Sequence, residues 1–149
     1  MSSTSGDLTG RHVWIDGALL PADGVHLSAF DRGFQLGDGV FETLRARGGR
    51  PIELAEHLER LRRSAAGLDI ALAPTVEADL AAAVAAILAA EGLDGPDGDA
   101  SVRITVSRGT VVGRGLLPAQ ATAPTIVVQA WPVAPPPPGH LERDRKSVV

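Results

Sequence analysis

The residues best suited to chemistry in this sequence are arginines set beside carboxylates and glycines. In "EHLERLRRSA" (56–65) the apolar residues Leu58, Leu61 and Ala65 continue a stripe that starts at Leu54 and ends at Leu68. On a helical wheel at about 100° per residue, His57, Arg60 and Ser64 fall together on one flank of that stripe. Arg62 lies on the other flank and Arg63 points away. A guanidinium at the edge of a buried face offers paired donors to a phosphate or carboxylate. Spacing alone favours a plainer reading, in which Glu56–Arg60 and Glu59–Arg63 are surface pairs four residues apart.

A second group of charges sits in "AFDRGFQLGDGVFETLR" (29–45). There Gly33, Gly37 and Gly39 stand beside Asp31, Arg32 and Asp38, and the chain then turns apolar at Val40, Phe41 and Leu44. The glycines permit positive φ in a turn or bulge. Their spacing is no dinucleotide fingerprint, because a strand rather than a helix follows, and no GxxxxGK[ST] phosphate loop is present. By residue type this is a tight loop close to something. A third group, "SRGTVVGRG" (107–115), carries Arg108 and Arg114, which could clamp an anion or decorate a surface turn; spacing alone favours the turn. His12, His26 and His140 have no metal-binding spacing, so no metal ligands are expected. With no cysteine in the chain, disulfides and thiol chemistry are excluded. Lys146 is the only lysine.

These residues need a frame, and 149 residues suffice for one domain with a core. Hydrophobic residues at 44% and charged residues at 21% fit a soluble globular chain. A net charge of −4 argues against general nucleic-acid binding. The polar start "MSSTSGDLTG" lacks an apolar signal core. The alanine-rich run from Leu80 to Ala90 is too short to span a bilayer. A cytoplasmic protein without nucleic-acid or membrane partners is expected.

The elements follow from periodicity. His12 to Ile15, Asp16–Gly17 and Ala18 to Leu20 read as a hairpin with a type I′ turn. From Val40 the residues alternate, with Val40, Leu44 and Ala46 on one face and Phe41, Thr43 and Arg45 on the other. Gly48–Gly49 marks a second hairpin returning through Pro51–Ile52. The Leu54 stripe predicts an amphipathic helix, and a second helix is expected after Thr75 as N-cap, stopping near Gly92. "GLDGPDGDA" (92–100) reads as a connector. Val102, Ile104 and Val106 predict a half-buried strand, and Thr125 to Trp131 another, followed by the stiff "PVAPPPPG". Strands, two helices, then strands again predict an α+β fold with a mainly antiparallel sheet.

Taken in order, "DRGFQLGDGVFETLR", "EHLERLRRSA", "VRITVSRG" and the proline-rich exit resemble the class IV aminotransferase family over about residues 11 to 138. That family comprises pyridoxal-phosphate (PLP) enzymes of fold type IV: branched-chain and D-amino acid aminotransferases and 4-amino-4-deoxychorismate lyases. The resemblance implies the small N-terminal domain over 11–131, a disordered start over 1–10, and an interdomain linker with a truncated start of the second domain over 132–149. It implies that the glycine-rich loop lines the substrate side of a pocket and a dimer interface, with Leu36, Phe41 and Arg45 at pocket positions. Arg60 matches the helix arginine that holds the PLP phosphate, which reverses the surface-pair reading. Arg108 and Arg114 fall in the loop that helps receive substrate carboxylates.

"QLGDGVFET" departs from the "HYGxxxFEG" of branched-chain enzymes. "RGLLP" lacks the histidine of the D-amino acid enzymes, so the resemblance points to aminodeoxychorismate lyase, with transamination second. PLP chemistry draws on a Schiff-base lysine, which this family places in a later domain in a context like "KTxNY". "RKSVV" does not match it, so Lys146 reads as a solvated tail charge and no catalytic residue is assigned. The chain then reads as the N-terminal half of such an enzyme, self-associating or dimeric, with a small anionic amino-acid-like substrate. A non-catalytic dimerisation or binding module that retains the fold is the alternative.

Overall fold

The computed structural model describes residues 6–113, 115–117 and 123–134. Nine elements follow one another: β1 His12–Ile15, β2 Ala18–Pro21, α1 Arg32–Leu36, β3 Gly39–Arg47, β4 Arg50–Pro51, α2 Leu54–Gly67, α3 Val76–Ala90, β5 Asp99–Ser107 and β6 Thr125–Pro132. The six strands form one sheet in the order β2-β1-β6-β5-β3-β4, every neighbouring pair antiparallel. The fold is α+β, as the periodicity predicts.

The predicted hairpin forms at Asp16–Gly17, where both residues have positive φ as a type I′ turn requires. The core lies between the sheet and the two long helices. Leu58, Leu61 and Ala65 of α2 and Leu80, Val84, Ile87 and Leu88 of α3 bury against Leu44, Val102, Ile104, Val106 and Val128 of the sheet. Thr75 precedes α3 as expected but makes no capping bond to the helix backbone. Its hydroxyl donates instead to the Asp79 carboxylate at 2.8 Å. Among the described residues no helix is long and apolar enough to cross a membrane.

The glycine-rich stretch is more ordered than its composition suggests. Arg32–Leu36 is a helix, capped by Asp31, whose carboxylate accepts from the amides of Gly33 and Phe34. Gly37 closes it in the left-handed conformation at φ 65°. Gly39 answers a different demand: a Cβ there would meet the Val106 carbonyl oxygen at 2.5 Å. A third helix thus joins the two that were expected.

β3 and β5 pair along their full nine-residue length, from Gly39 opposite Ser107 to Arg47 opposite Asp99. On its other side β3 is covered by β4 only at Ala46 and Arg47. The rest of that edge has no strand partner among the described residues. Alternation along β3 sends Glu42, Leu44 and Ala46 inward and Phe41, Thr43 and Arg45 outward. The inward turn of Glu42 is the element of this strand that the sequence reading did not assign.

Candidate functional site

Glu42 sits on the helix-facing side of β3, only 7% exposed, where the 3.6-residue period of α2 brings His57 and Arg60 over it. Arg60 Nε donates to Glu42 Oε1 and Arg60 Nη2 to Oε2, both at 2.7 Å. His57 Nδ1 lies 2.7 Å from the same Oε2. The carboxylate accepts there, so Nδ1 carries the proton. The 3.0 Å approach of Arg60 Nη2 to Nδ1 is then a contact between two donors that share one acceptor. Arg60 first, and His57 after it, hold the Glu42 carboxyl below the usual carboxylate range against the opposing effect of burial. Arg60 therefore pairs across the fold with β3 and not with Glu56 on its own helix. Its side chain remains 54% exposed, and Nη1 has no hydrogen-bond partner among the described residues.

The opposite face of β3 carries Phe41 and Arg45. The Arg103 guanidinium lies over the Phe41 ring, 3.9 Å from its centroid. Arg45 makes a two-pronged contact with Asp99 across the β3–β5 pair, Nε to Oδ1 at 2.8 Å and Nη2 to Oδ2 at 2.5 Å. That contact holds the Asp99 carboxyl below its ordinary range. A cleft of about 380 Å³ opens around the uncovered edge of β3, between Thr43, Arg45 and Ser101 on one side and Ile52, Glu53 and His57 on the other. A larger hollow of about 740 Å³ lies between α3 and the β1–β2 hairpin. Its walls are largely apolar, six alanines among them, with Asp16 and Asp79 as the charged side chains and no cationic one among the described residues. Arg45, Glu53 and His57 line the smaller cleft, whereas Arg60 and Phe41 are not among its lining residues.

Arg108, expected at the substrate side, is engaged inside the fold. Its Nε and Nη2 donate to the Asp38 carboxylate at 2.8 and 3.2 Å, Nη2 also to the Leu68 carbonyl at 2.6 Å, and Nη1 to the Asp69 carbonyl at 3.3 Å. Arg32, 4% exposed at its side chain, donates to the same Asp38 from Nε at 2.8 Å and to the carbonyls of Gly115 and Leu116. Ser107 Oγ donates to Asp31 at 2.9 Å. The density of charge in the glycine-rich stretch has its explanation here. Asp31, Arg32 and Asp38 clamp α1, the end of β5 and the C-terminus of α2 to one another. Arg108 lies hardly 9% exposed in that clamp, and no donor of it faces the cleft.

Of the residues expected at a pocket, the structure gathers Phe41 and Arg45 on one face of β3 and sets Arg60 across the strand from them. Leu36 ends α1, half exposed, just before that strand. Arg114 and Lys146 lie outside the described residues. Glu42 and His57 join Arg60 in one hydrogen-bonded cluster. The parity of Glu42 with Leu44 and Ala46 was the available signal for the first, and the shared flank with Arg60 for the second.

A family model described as amino-transferase class IV matches residues 39–148. The chain is 35% identical over 123 residues to a Methanocaldococcus jannaschii protein provisionally named a branched-chain-amino-acid aminotransferase, covering 83% of this chain and 41% of that one. Among solved structures, the 4-amino-4-deoxychorismate lyase of Pseudomonas aeruginosa is 36% identical with a TM-score of 0.64, covering 88% and 43%. A hypothetical aminotransferase of Mycobacterium tuberculosis, solved in a PLP-bound form, is 30% identical with a TM-score of 0.66, covering 91% and 43%. The chain spans about two fifths of the length of the relatives it matches.

Proposed function

The chain belongs to the class IV amino-transferase family, and from that premise we propose that it forms the phosphate-holding and substrate-facing wall of a PLP enzyme acting on a small anionic amino compound. The observation that carries the reading is the Arg60 guanidinium, fixed on one edge by Glu42 and open on the other. The residues present fit a phosphomonoester. An arginine edge matches two phosphate oxygens, and the guanidinium is already oriented, so little rotamer freedom is lost on binding.

PLP, when bound, supplies an electron sink for negative charge that develops at the α-carbon of the substrate. What this chain adds is binding and orientation. Arg60 donates N–H groups to the phosphate. Phe41, braced by Arg103, presents a flat wall, and Thr43 and Ser101 offer hydroxyls at the cleft. Arg45, held by Asp99, lines the cleft, and Leu36, half exposed, ends α1 just before the strand. Arg108 contributes by holding the start of the loop that bears Arg114. The single lysine, Lys146, lies outside the described residues, and no described residue is given the role of the reacting amine.

Elimination of pyruvate from aminodeoxychorismate is the reaction best supported, through the 36% identity to the Pseudomonas lyase. Transamination is the second reading, supported by the 35% identity to the archaeal relative. Pyruvate release without an added keto acid separates the two. Self-association belongs to the same reading: Phe30, Phe34 and Leu36 leave an apolar surface beside the substrate side, Phe34 being 75% exposed. Sedimentation as a monomer at micromolar concentration counts against that part.

The direct test is a titration of the chain with pyridoxal 5′-phosphate and with pyridoxal, which lacks the phosphate. Saturable binding of the first only, lost in Arg60→Ala, is expected. Equal binding by Arg60→Ala, or no binding at all, sinks the reading.

A further inference from the structure

We infer that Glu42 is the positioning residue of the phosphate site, holding Arg60 so that its Nη1 edge faces the anion, with His57 as the strut that fixes the carboxylate. The inference rests on the reading of Arg60 as the phosphate ligand. It adds a residue on another element and a sign for its effect.

The argument begins with cost. A carboxylate only 7% exposed has lost most of its water, and burial of a charge is unfavourable unless hydrogen bonds replace that water. Among the described residues every side-chain hydrogen bond of Glu42 is made with α2, two from Arg60 and one from His57, one turn apart. None goes to a backbone amide or to a neighbouring strand. An apolar residue at position 42 would pack against the core as Leu44 and Ala46 do. What it could not do is set the angle of a guanidinium. Without Glu42, Arg60 has Glu56 four residues back on the exposed surface as the obvious partner, and its open edge would turn away from β3.

Two effects of Glu42 on a bound anion oppose each other. Its negative charge, bonded directly to Arg60, weakens the attraction of that arginine for phosphate. Its geometry removes the freedom that a long side chain must otherwise lose on binding. Positioning predicts that loss of the charge weakens binding, whereas simple neutralisation predicts that it strengthens binding. Glu42→Gln decides between them. A Gln oxygen can still accept from Arg60 Nε, but its amide then presents N–H groups to two other donors, Arg60 Nη2 and His57 Nδ1.

The experiment is a titration of the full chain with inorganic phosphate and with pyridoxal 5′-phosphate, followed through the Arg60 Nε–H resonance and by calorimetry. Wild type, Glu42→Gln, His57→Gln and Arg60→Ala are compared at matched melting temperatures. We expect Glu42→Gln to weaken binding at least tenfold, His57→Gln to weaken it less, and the Arg60 Nε–H resonance to broaden or vanish in Glu42→Gln. Unchanged or tighter binding in Glu42→Gln, with binding still lost in Arg60→Ala, overturns the positioning role alone. Binding retained in Arg60→Ala, or absent from the wild type, overturns both this inference and the reading it rests on. If Glu42→Gln fails to fold, the wild-type resonance carries the test. A slowly exchanging Arg60 Nε–H that shifts on addition of phosphate supports the inference, and one that is absent or unmoved overturns it.

Discussion

Replacement of Asp38 by Asn should cost far more stability than removal of Arg45, although both positions form paired contacts between arginine and carboxylate. Among the described residues Asp38 is the one carboxylate bonded to Arg32 and Arg108, whose side chains are 4% and 11% exposed. It accepts three of their donors, at 2.8, 2.8 and 3.2 Å. Loss of one member of a buried charge cluster leaves an uncompensated charge and typically costs about 3–5 kcal/mol. Here two like charges would remain together, but the Asp38 side chain is itself 15% exposed and Asn keeps one acceptor. We therefore place the loss near the lower end, about 3 kcal/mol. For a domain of this size that corresponds to a fall of roughly 6–12 °C in Tm. Arg45–Asp99 has comparable distances, yet its partners are 45% and 33% exposed, and water replaces the contact readily. Arg45→Ala should unfold with the wild type within error. The assay is urea unfolding followed by tryptophan fluorescence and circular dichroism, with m-values compared to confirm two-state behaviour. If Asp38→Asn loses less than about 1 kcal/mol, or if the two variants lose alike, burial does not decide the worth of these pairs and the reasoning fails.

Acid should unmake the fold through the same contacts. Arg108 holds the Asp38 carboxyl, and Arg60 the Glu42 carboxyl, below their unfolded values of 3.8 and 4.5. A depressed carboxyl contributes stability that is fully present above the unfolded value and is lost as pH falls through the folded one. Stability should hold down to about pH 5 and then decline through pH 4 and below, and Asp38→Asn should flatten that decline. An unchanged slope in the variant contradicts the assignment. Separately, Gly39→Ala should destabilise by about 1–3 kcal/mol, because its Cβ meets a backbone oxygen that cannot move aside. Gly37→Ala, with open space around it but φ at 65°, should lose about 1–2 kcal/mol from backbone strain alone. Equal hydrogen-exchange protection of Val106 in wild type and Gly39→Ala would refute the steric account.

Much of this was legible in the residues, and the limits have physical causes. Asp16–Gly17 specifies its turn locally, and the Leu54 to Ala65 spacing specifies both α2 and the shared flank of His57 and Arg60. Helix α1 has five residues, too few for a period to emerge, and its cap is a feature of one aspartate. The partner of Arg60 was out of reach for another reason. Helical spacing exposes neighbours three and four residues apart, so it offers Glu56. The actual partner lies 18 residues earlier on a strand, and only the packing of α2 against β3 selects it. Spacing alone places Arg108 on a surface turn, and the family resemblance places it at the substrate side. Two of its bonds go to carbonyls at the end of α2, where Leu68 and Asp69 leave acceptors free, and no local pattern announces that meeting.

What joins the fold to the proposed activity is the parity of β3. Even-numbered residues face the helices and odd-numbered ones face out, so one strand sets Glu42 under Arg60 and Phe41 and Arg45 along the opposite face. A slip of one residue against β5 would exchange the two sets: the carboxylate would leave Arg60 and the ring would enter the core. The register is fixed at Gly39, where β3 comes so near the Val106 carbonyl that no side chain fits, and by Asp38 just before it, gripped by two buried arginines. Asp38 and Gly39 thus act on the site through the register of β3. A variant that loosens the grip on Asp38 should weaken phosphate binding at Arg60 even in chains that remain folded, and phosphate affinity measured well below the unfolding temperature of Asp38→Asn distinguishes that coupling from simple loss of fold.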